Sequence, residues 1–532
     1  MKKKEILLQS LIGLGALALA LRALAGRRTN SKPDPQRASS GRGFEDIDAY
    51  VEAQMKRLNI PGAALVIVEG DQIVHQRGFG QARPSGDPPS PQTPFFIGSL
   101  TKSITALAVM QLVEAGKIEL DAPVQRYLPW FRLADPQASA KTPALAPERS
   151  AGASVTVRHL LNQTSGLPGV PGMAALADFD DRPDATERQV RALSRLKITR
   201  PVGSKWEYSN LNYNILGLIV EAASGESYTD YIQNHIFNPL EMRLTFTSRE
   251  EAKQNGLAKG HRHWFGLPFP APDMPVPRGS LPSGQLISCT ADMAHYLIAH
   301  LNGGRYGEVQ VLSEAGVEEL HRGVAEYTAF GESEGRYGMG WFEIDLGQTK
   351  TFSHGGNIPD FSAFMALIPG QKRGVALLLK ADPYGLPFIT AEIGEGLTAV
   401  LAGQQPAPIK LDFIQWIFRL LPLIPILQIV GVITTLRLLR NWHRDPVLRP
   451  SRGRVWGQHI LPPLVPNLAL VAALAYLRSS GLLGFIYKYM PDLYWIARIS
   501  GEFARIWASL RTSLILRALR KSSSSKTNIR EI

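Results

Sequence analysis

The sequence of 532 residues predicts an α+β domain, in which strands at both ends enclose a helical middle, followed by apolar helices in its C-terminal quarter. Strand-like runs of β-branched residues occur shortly after residue 60 and again after residue 338, with helical periodicity between them. This order favours one body whose sheet joins the two ends of the domain. Beyond residue 410 the apolar runs become long enough to cross a bilayer. The length is consistent with a domain and an additional membrane region, because 532 residues exceed the size of one ordinary domain.

The first 28 residues contain the three parts of a secretory signal. Lys2–Lys4 precede an apolar run from Ile6 to Leu21, and Ala23-Leu24-Ala25 resembles a cleavage site. We expect residues 1–28 to be a signal peptide or, if uncut, an N-terminal anchor. Either one directs the following domain out of the cytoplasm. Residues 29–43, rich in Ser, Pro, Gly and Arg, are expected to form a linker.

Residues 44–403 have the pattern of a globular domain. Ile47–Leu58 predicts an amphipathic helix, whereas Leu133–Ala153, rich in Pro, Ala and Ser, predicts an exposed loop. Six short runs predict strands: Gly62–Val68, Gln72–Arg77, Gly338–Ile344, Lys350–His354, Ser362–Ile368 and Gly374–Leu379.

Residues 411–516 predict a membrane region with two or three apolar helices. Leu411–Leu436 and Ile460–Leu477 are each long and apolar enough to cross a bilayer. Leu482–Leu516 includes charged residues such as Arg498 and Glu502, so two interpretations stay open there. It is either a third span or an amphipathic helix in the membrane interface.

The positive charges between and after the apolar runs predict the orientation. Loop 437–459 contains six arginines, and the positive-inside rule places such a loop in the cytoplasm. The basic tail, residues 517–532, is expected to be cytoplasmic as well. With the export signal at the N-terminus, this predicts a membrane-anchored protein whose domain of residues 44–403 is extracytoplasmic.

The distribution of charge excludes a nucleic-acid-binding function for the domain. The net charge is +12, but residues 1–28 contribute +5 and residues 410–532 contribute +13, which leaves −6 for the part between them. Cys289 is the only cysteine, so the chain has neither an intrachain disulfide nor a cysteine-rich metal site. We expect no metal or organic cofactor.

The first chemical motif is Ser99-Leu-Thr-Lys102, at the start of a predicted helix. Three residues make about one helical turn, so both side chains project from one face. A lysine with a lowered pKa can activate a serine hydroxyl as a nucleophile. By itself the motif is weak, because S-x-x-K recurs at Ser194 and Ser523.

Two later motifs make the first motif more specific. In Tyr208-Ser-Asn210, a phenol can move protons and an amide can orient a lysine or a substrate carbonyl. In His354-Gly-Gly-Asn357, after a predicted strand, glycines allow a close approach of the backbone to a ligand.

Together these motifs resemble those of the class C β-lactamase and penicillin-binding-protein superfamily of serine hydrolases. The similarity covers about residues 44–402, and three supporting stretches also match the family pattern: His159–Pro168, Gly284–Asp292 and Tyr337–Trp341. The resemblance implies an antiparallel sheet flanked by helices. It also implies a Ser99 acyl-enzyme, with acid and base chemistry shared by Lys102 and Tyr208.

For the substrate, the resemblance implies contacts with Asn210 and with the strand that begins at His354 and includes Gly355 and Gly356. It implies an oxyanion hole made by the backbone N–H groups of Ser99 and Asn357. One departure matters: β-lactamases typically have Lys-Thr-Gly where this chain has His354-Gly-Gly356. Histidine is largely neutral at pH 7, so a fixed charge for a substrate carboxylate is missing.

The sequence therefore predicts a membrane-tethered, extracytoplasmic serine hydrolase that acts on an ester, amide or peptide bond, in the manner of esterases or D-amino-acid peptidases. Its expected partners are a small-molecule or peptide substrate and a membrane. Two alternatives remain open. One is a catalytically silent binding or sensor protein with the same fold, and the other is a membrane protein whose C-terminal spans carry the main function.

Overall fold

The structure is a computed structural model that describes residues 44–84, 86–135, 154–329, 332–409 and 412–520. These residues divide into two compact units. The larger unit contains the described residues up to 409 together with Lys488–Met490, and the smaller contains the rest of the C-terminal region.

Several predicted segments fall outside the described residues: the signal peptide or anchor (1–28), the linker (29–43), most of the loop Leu133–Ala153 and most of the tail 517–532. The predicted boundaries of the domains stay predictions.

The larger unit is built on one antiparallel sheet of eight strands. Its order across the sheet is β2-β1-β14-β13-β12-β11-β10-β9. The strands are β1 Gly62–Glu69, β2 Gln72–Gly80, β9 Ala325–Ala329, β10 Glu332–Tyr337, β11 Phe342–Leu346, β12 Thr349–Ile358, β13 Phe361–Ile368 and β14 Arg373–Leu379. Three two-stranded ribbons accompany it: β3 Phe95–Phe96 with β6 Ile287–Ser288, β4 His261–Trp264 with β5 Leu267–Pro270, and β7 Arg305–Tyr306 with β8 Val309–Gln310.

The central strands are apolar on both faces because helices cover both sides of the sheet. All eight residues of β13 are buried, as are the first seven of β1. The pairing of β1 with β14 joins the two ends of the domain, as the sequence predicts.

The helices of the larger unit are α1 Glu45–Leu58, α2 Thr101–Glu114, α3 Val157–Leu161, α4 Gly169–Ala175, α5 Ala185–Ala192, α6 Asn210–Ser224, α7 Tyr228–Ile232, α8 Arg249–Gln254, α9 Leu281–Gly284, α10 Thr290–Leu301, α11 Glu314–His321 and α12 Pro387–Leu401. Helices α10 and α12 pack on opposite faces of the sheet, whereas α3, α4, α5 and α7 pack against α6. Gly394 of α12 lies against the Phe364 ring, whereas Leu367 faces the side on which α10 packs. Residues 364 and 367 are an odd number apart on β13, so they point to opposite faces.

Two details of the sheet differ from the prediction. The strand predicted at Gly338–Ile344 is wrong at its start, because it begins at Phe342. Gly340 before it has φ +82° and packs against the backbone of Ser103, which a regular strand could not do. Strands β9 and β10 were not predicted, since both are short and rich in polar residues; β9 is the edge strand and β10 pairs with β9 and β11.

The described part of the smaller unit consists of helices and short connections. The helices of this region are α13 Asp412–Leu420, α14 Leu423–Arg444, α15 Arg452–Val455, α16 Leu461–Ser479, α17 Leu482–Tyr489, whose last two residues are counted with the larger unit, and α18 Pro491–Arg520. Two helical stretches, Gln415–Arg444 and Arg452–Ser479, are long and apolar enough to cross a membrane. The 30-residue helix α18 does not meet that criterion, and it packs against α14 and α16 through Arg511 and Ile515.

Candidate active site

Ser99 lies in the 3₁₀ turn Gly98–Leu100, which leads directly into α2. The ribbon of β3 and β6 fixes the entry to this turn, where the Ile97 N–H donates to the Leu286 carbonyl oxygen at 3.0 Å. Because Lys102 follows one helical turn later, its Nζ lies 3.0 Å from Ser99 Oγ. The two side chains of the S-x-x-K motif therefore meet, as its spacing predicts.

Lys102 has no exposed surface. Its Nζ donates to Oδ1 of Asn210 at 2.7 Å and to the carbonyl oxygen of Ser283 at 2.6 Å. Burial lowers the pKa of Lys102 well below its ordinary value, because removal from water disfavours the charged ammonium. This shift favours the neutral amine, which can accept a proton.

Tyr208 reaches Ser99 from the loop before α6. Its phenol O–H donates to Ser99 Oγ at 2.8 Å, and Lys102 Nζ lies 4.8 Å from the centre of the Tyr208 ring. Burial raises the pKa of the phenol, so the group keeps its proton at neutral pH. Asn210, the first residue of α6, is buried and also donates through Nδ2 to the Gly172 carbonyl oxygen at 3.4 Å.

Gln163 holds the segment that carries Tyr208 in place. Its Oε1 accepts from the Ser209 backbone N–H at 2.9 Å and from the side-chain amide of Asn212. Gln163 itself has φ +58°, an uncommon conformation for a residue with a side chain. The stretch His159–Pro168, which the sequence marks only as supporting, thus positions the tyrosine.

Strand β12 approaches the Ser99 turn backbone to backbone. Gly98 has φ +54°, and a Cβ there would lie 2.5 Å from the backbone nitrogen of Asn357. A Cβ on Gly356 would lie 2.0 Å from the Ile97 carbonyl oxygen. Both positions therefore require glycine. The close approach brings the Asn357 backbone beside the turn that holds Ser99.

The side chain of Asn357 points to the other face of the sheet. Its Nδ2 donates to Oδ1 of Asp382 at 2.7 Å and to Oγ1 of Thr390 at 2.9 Å. Asp382 is buried, and burial raises its pKa well above the ordinary value. These contacts fix the orientation of the Asn357 peptide group.

His354 lies on the same face of β12 as Gly356 and is buried. Its Nδ1 donates to the Gly355 carbonyl oxygen at 2.6 Å, and its Nε2 lies 3.4 Å from the Tyr337 hydroxyl. Burial, with a smaller contribution from Lys102, lowers the pKa of His354 to about 3. The imidazole is therefore neutral at physiological pH.

The structure thus joins Ser99, Lys102, Tyr208 and Asn210 by direct hydrogen bonds and sets β12 beside them. Gly355 is partly exposed, and no heavy atom of the described residues lies within 4 Å of where its Cβ would stand. Among the described residues, no group of three or more His, Cys, Asp or Glu side chains could hold a metal ion.

Sequence reasoning missed three contributors to the site. The Ser283 carbonyl is a backbone group, so the type of residue at this position does not indicate its role. Asp382 and Thr390 act on Asn357 from outside the motifs, and only the three-dimensional fold brings them together.

Comparison with known proteins gives consistent matches. Residues 47–393 match the protein-family model described as Beta-lactamase. Protein flp from Staphylococcus aureus strain MW2 is 27% identical over 357 residues, which cover 66% of this chain and 65% of flp. Penicillin-binding protein 4 from Amycolatopsis lactamdurans is 31% identical over 332 residues, which cover 60% of this chain and 81% of that protein.

A solved structure, the octameric penicillin-binding protein homologue from Pyrococcus abyssi, matches with a TM-score of 0.57 and 28% identity. The match covers 68% of this chain and 78% of that one, and it confirms the predicted fold class.

The low pKa of His354 predicts a specific dependence of stability on pH. The unfolded histidine binds a proton near pH 6.5, whereas the folded one does so only near pH 3. Stability therefore falls as the pH decreases below 6.5, by at most about 1.4 kcal/mol per pH unit for this residue. Replacing His354 by Gln removes that contribution.

Urea unfolding at pH 7, 6 and 5 measures this difference. We expect the free energy of unfolding of His354→Gln to decrease less steeply toward pH 5 than that of the unmodified protein. Parallel curves for the two proteins would contradict the buried, neutral imidazole.

Proposed function

This chain belongs to the β-lactamase family, and from this premise we propose that it is a serine hydrolase that cleaves an ester, amide or peptide bond through a Ser99 acyl-enzyme. The observation that carries the proposal is the position of Ser99 Oγ. It lies 3.0 Å from Lys102 Nζ and 2.8 Å from the Tyr208 hydroxyl.

The hydrogen-bond partners of the Lys102 amine support its role as the base. A neutral amine has two N–H groups, and Asn210 Oδ1 and the Ser283 carbonyl can each accept one. Its lone pair is then directed at Ser99 Oγ. Since Tyr208 donates to the same oxygen, the hydrogen of Ser99 is free to point at the amine.

Acylation follows from this arrangement. Oγ attacks the carbonyl carbon of the substrate as its proton passes to Lys102. The backbone N–H groups of Ser99 and Asn357 would stabilise the oxyanion, at the positive end of α2. Tyr208 is placed to give a proton to the leaving group, and Lys102 restores it.

Deacylation uses the same groups in reverse. Water attacks the ester carbonyl, the same base takes its proton, and Ser99 Oγ leaves with a proton.

The neutral imidazole of His354 favours substrates that lack an obligatory carboxylate. A lysine at this position would supply a fixed cation, whereas a histidine with a pKa of about 3 supplies none at neutral pH. Esters and simple amides are therefore the substrates that we propose.

We further propose that the smaller unit anchors the enzyme, with the catalytic domain outside the cytoplasm. Two helical stretches of suitable length and composition support this, as do the arginines of loop 437–459. Large apolar side chains such as Leu427, Ile429 and Leu468 are about half exposed, which is unfavourable in water but favourable in lipid.

Labelling of the full chain with a fluorophosphonate probe tests the nucleophile. We expect an adduct that Ser99→Ala and Lys102→Ala abolish, because the first removes the attacking oxygen and the second its base. Tyr208→Phe should still form the adduct, because fluoride leaves without a proton, but it should lower kcat/KM for an amide substrate about a hundredfold, the usual effect of losing a proton-transfer group.

The chain contains its own matched controls. Ser194 and Lys197 have the same spacing but lie exposed on the surface. The variants Ser194→Ala and Lys197→Ala should therefore form the Ser99 adduct at the rate of the unmodified chain. An unmodified chain that forms no Ser99 adduct would instead be a binding protein with this fold.

Substrate preference tests the role of His354. We expect the full chain to hydrolyse p-nitrophenyl acetate with a higher kcat/KM than a chromogenic cephalosporin, since nothing at position 354 pairs with the cephalosporin carboxylate. Steady-state rates on both substrates, and on a D-alanyl peptide, provide the comparison. Rapid turnover of the cephalosporin would contradict this assignment.

The anchoring proposal predicts the behaviour of a truncated chain. Residues 29–409 alone should be recovered in the soluble fraction and should hydrolyse p-nitrophenyl acetate with the same kcat/KM as the full chain. Fractionation and steady-state kinetics measure both. Loss of activity in a folded truncated chain would assign the C-terminal helices a part in catalysis.

A further inference from the structure

A cavity of about 390 Å³ lies in the larger unit, and its wall contains none of the eight predicted site residues. It lies between the segment after β2, helix α8 and the segments that flank β4 and β5. Its charged lining residues are Arg83, Arg249, Lys253, Lys259, Asp273 and Asp360.

The two carboxylates in this wall have different roles. Asp360 is already paired, because Oδ1 accepts from Arg262 Nε at 2.6 Å and both side chains are less than 10% exposed. Asp273 is the lining carboxylate that forms ion pairs with Arg249, Lys253 and Lys259.

Asp273 is shared among three of those cations. Its oxygens lie 3.2 Å from Lys253 Nζ, 3.3 Å from Lys259 Nζ and 3.6 Å from a terminal nitrogen of Arg249. Burial opposes ionisation of Asp273, but the hydrogen bonds from Lys253 and Lys259 outweigh it and lower the pKa. One carboxylate cannot balance this much positive charge.

The other charged groups near the cavity do not neutralise its excess positive charge. Lys253 also pairs with Glu250 at 3.2 Å, but that carboxylate is 75% exposed and screened by water. Within the described part of the chain, the buried Nε of Arg249 has no hydrogen-bond partner, although Nη1 of the same guanidinium donates to the Met274 carbonyl oxygen. With Asp360 held by Arg262, four cations thus face Asp273 and Glu250, which are both more than half exposed, and the surrounding domain is acidic overall. The cationic cavity is not a general property of this surface.

We propose that this cavity binds a phosphate group. A phosphate offers three or four acceptor oxygens and up to two negative charges, which matches the excess of cations and the free guanidinium N–H. The cations approach from different segments of the chain, so they can contact different oxygens of one tetrahedral group. The volume also leaves room for the molecule that carries the phosphate.

Titration calorimetry on the full chain in detergent micelles tests the proposal, with tripolyphosphate and inorganic phosphate as probes. The double variant Lys253→Ala/Lys259→Ala should bind at least about tenfold more weakly, because two charge-assisted contacts are lost. Asp273→Asn should bind more tightly, because it removes the carboxylate that competes with phosphate. Both lysines are about one third exposed, so their replacement leaves the core unchanged.

A matched control separates the cavity from general electrostatic attraction. Lys56→Ala/Lys117→Ala removes the same charge from exposed positions elsewhere on the domain and should bind tripolyphosphate normally. Equal weakening in both double variants would overturn the proposal, and so would an unmodified chain that binds neither probe.

Glycerophosphoglycerol, which carries the phosphodiester of a lipid headgroup, distinguishes the source of the phosphate. Lysine-dependent binding of this diester identifies a headgroup, whereas binding of the inorganic probes alone identifies a free phosphate. Fluorophosphonate labelling of the same variants should be unchanged. Phosphate binding without any Ser99 adduct would therefore contradict the proposed hydrolase activity and support the proposed phosphate site.

Discussion

Burying the amino group of Lys102 beside Ser99 is unfavourable unless its polar neighbours offset the loss of water. Asn210 and the Ser283 carbonyl provide that compensation, and each comes from a different helix. The remaining position around the nitrogen is directed at Ser99. Helices α2, α6 and α9 therefore have to pack in one arrangement, since a small displacement of any of them would leave a buried amine without a partner.

The sheet imposes the second constraint through the contact between Gly98 and Gly356. Two backbones can approach this closely only where neither residue has a side chain on the facing side. Asp382 and Thr390 then hold the Asn357 side chain from the opposite face, so the same peptide is fixed on both sides of the sheet. The sheet and the helical region thus determine each other's position at one point of contact.

The sequence predicted those parts of the site that depend on short spacing. Ser99 and Lys102 meet because a helix repeats every 3.6 residues, and the strand at His354 was predicted as well. It could not reveal Ser283, whose contribution is a carbonyl, or Asp382, which is distant from every motif. For the fold, it predicted the strands at both ends but not β9 and β10, because these two strands are short and contain few large apolar residues.

The pairing of β1 with β14 determines the order in which the domain can be completed. Ala63 lies opposite Leu379, so more than three hundred residues separate two neighbours in the sheet. Contacts between such distant segments form slowly, and the N-terminal strand leaves the ribosome long before its partner. The sheet of the nascent chain consequently stays incomplete during most of the synthesis. A chain in that state can still be threaded through a narrow translocation channel, whereas the closed sheet could not.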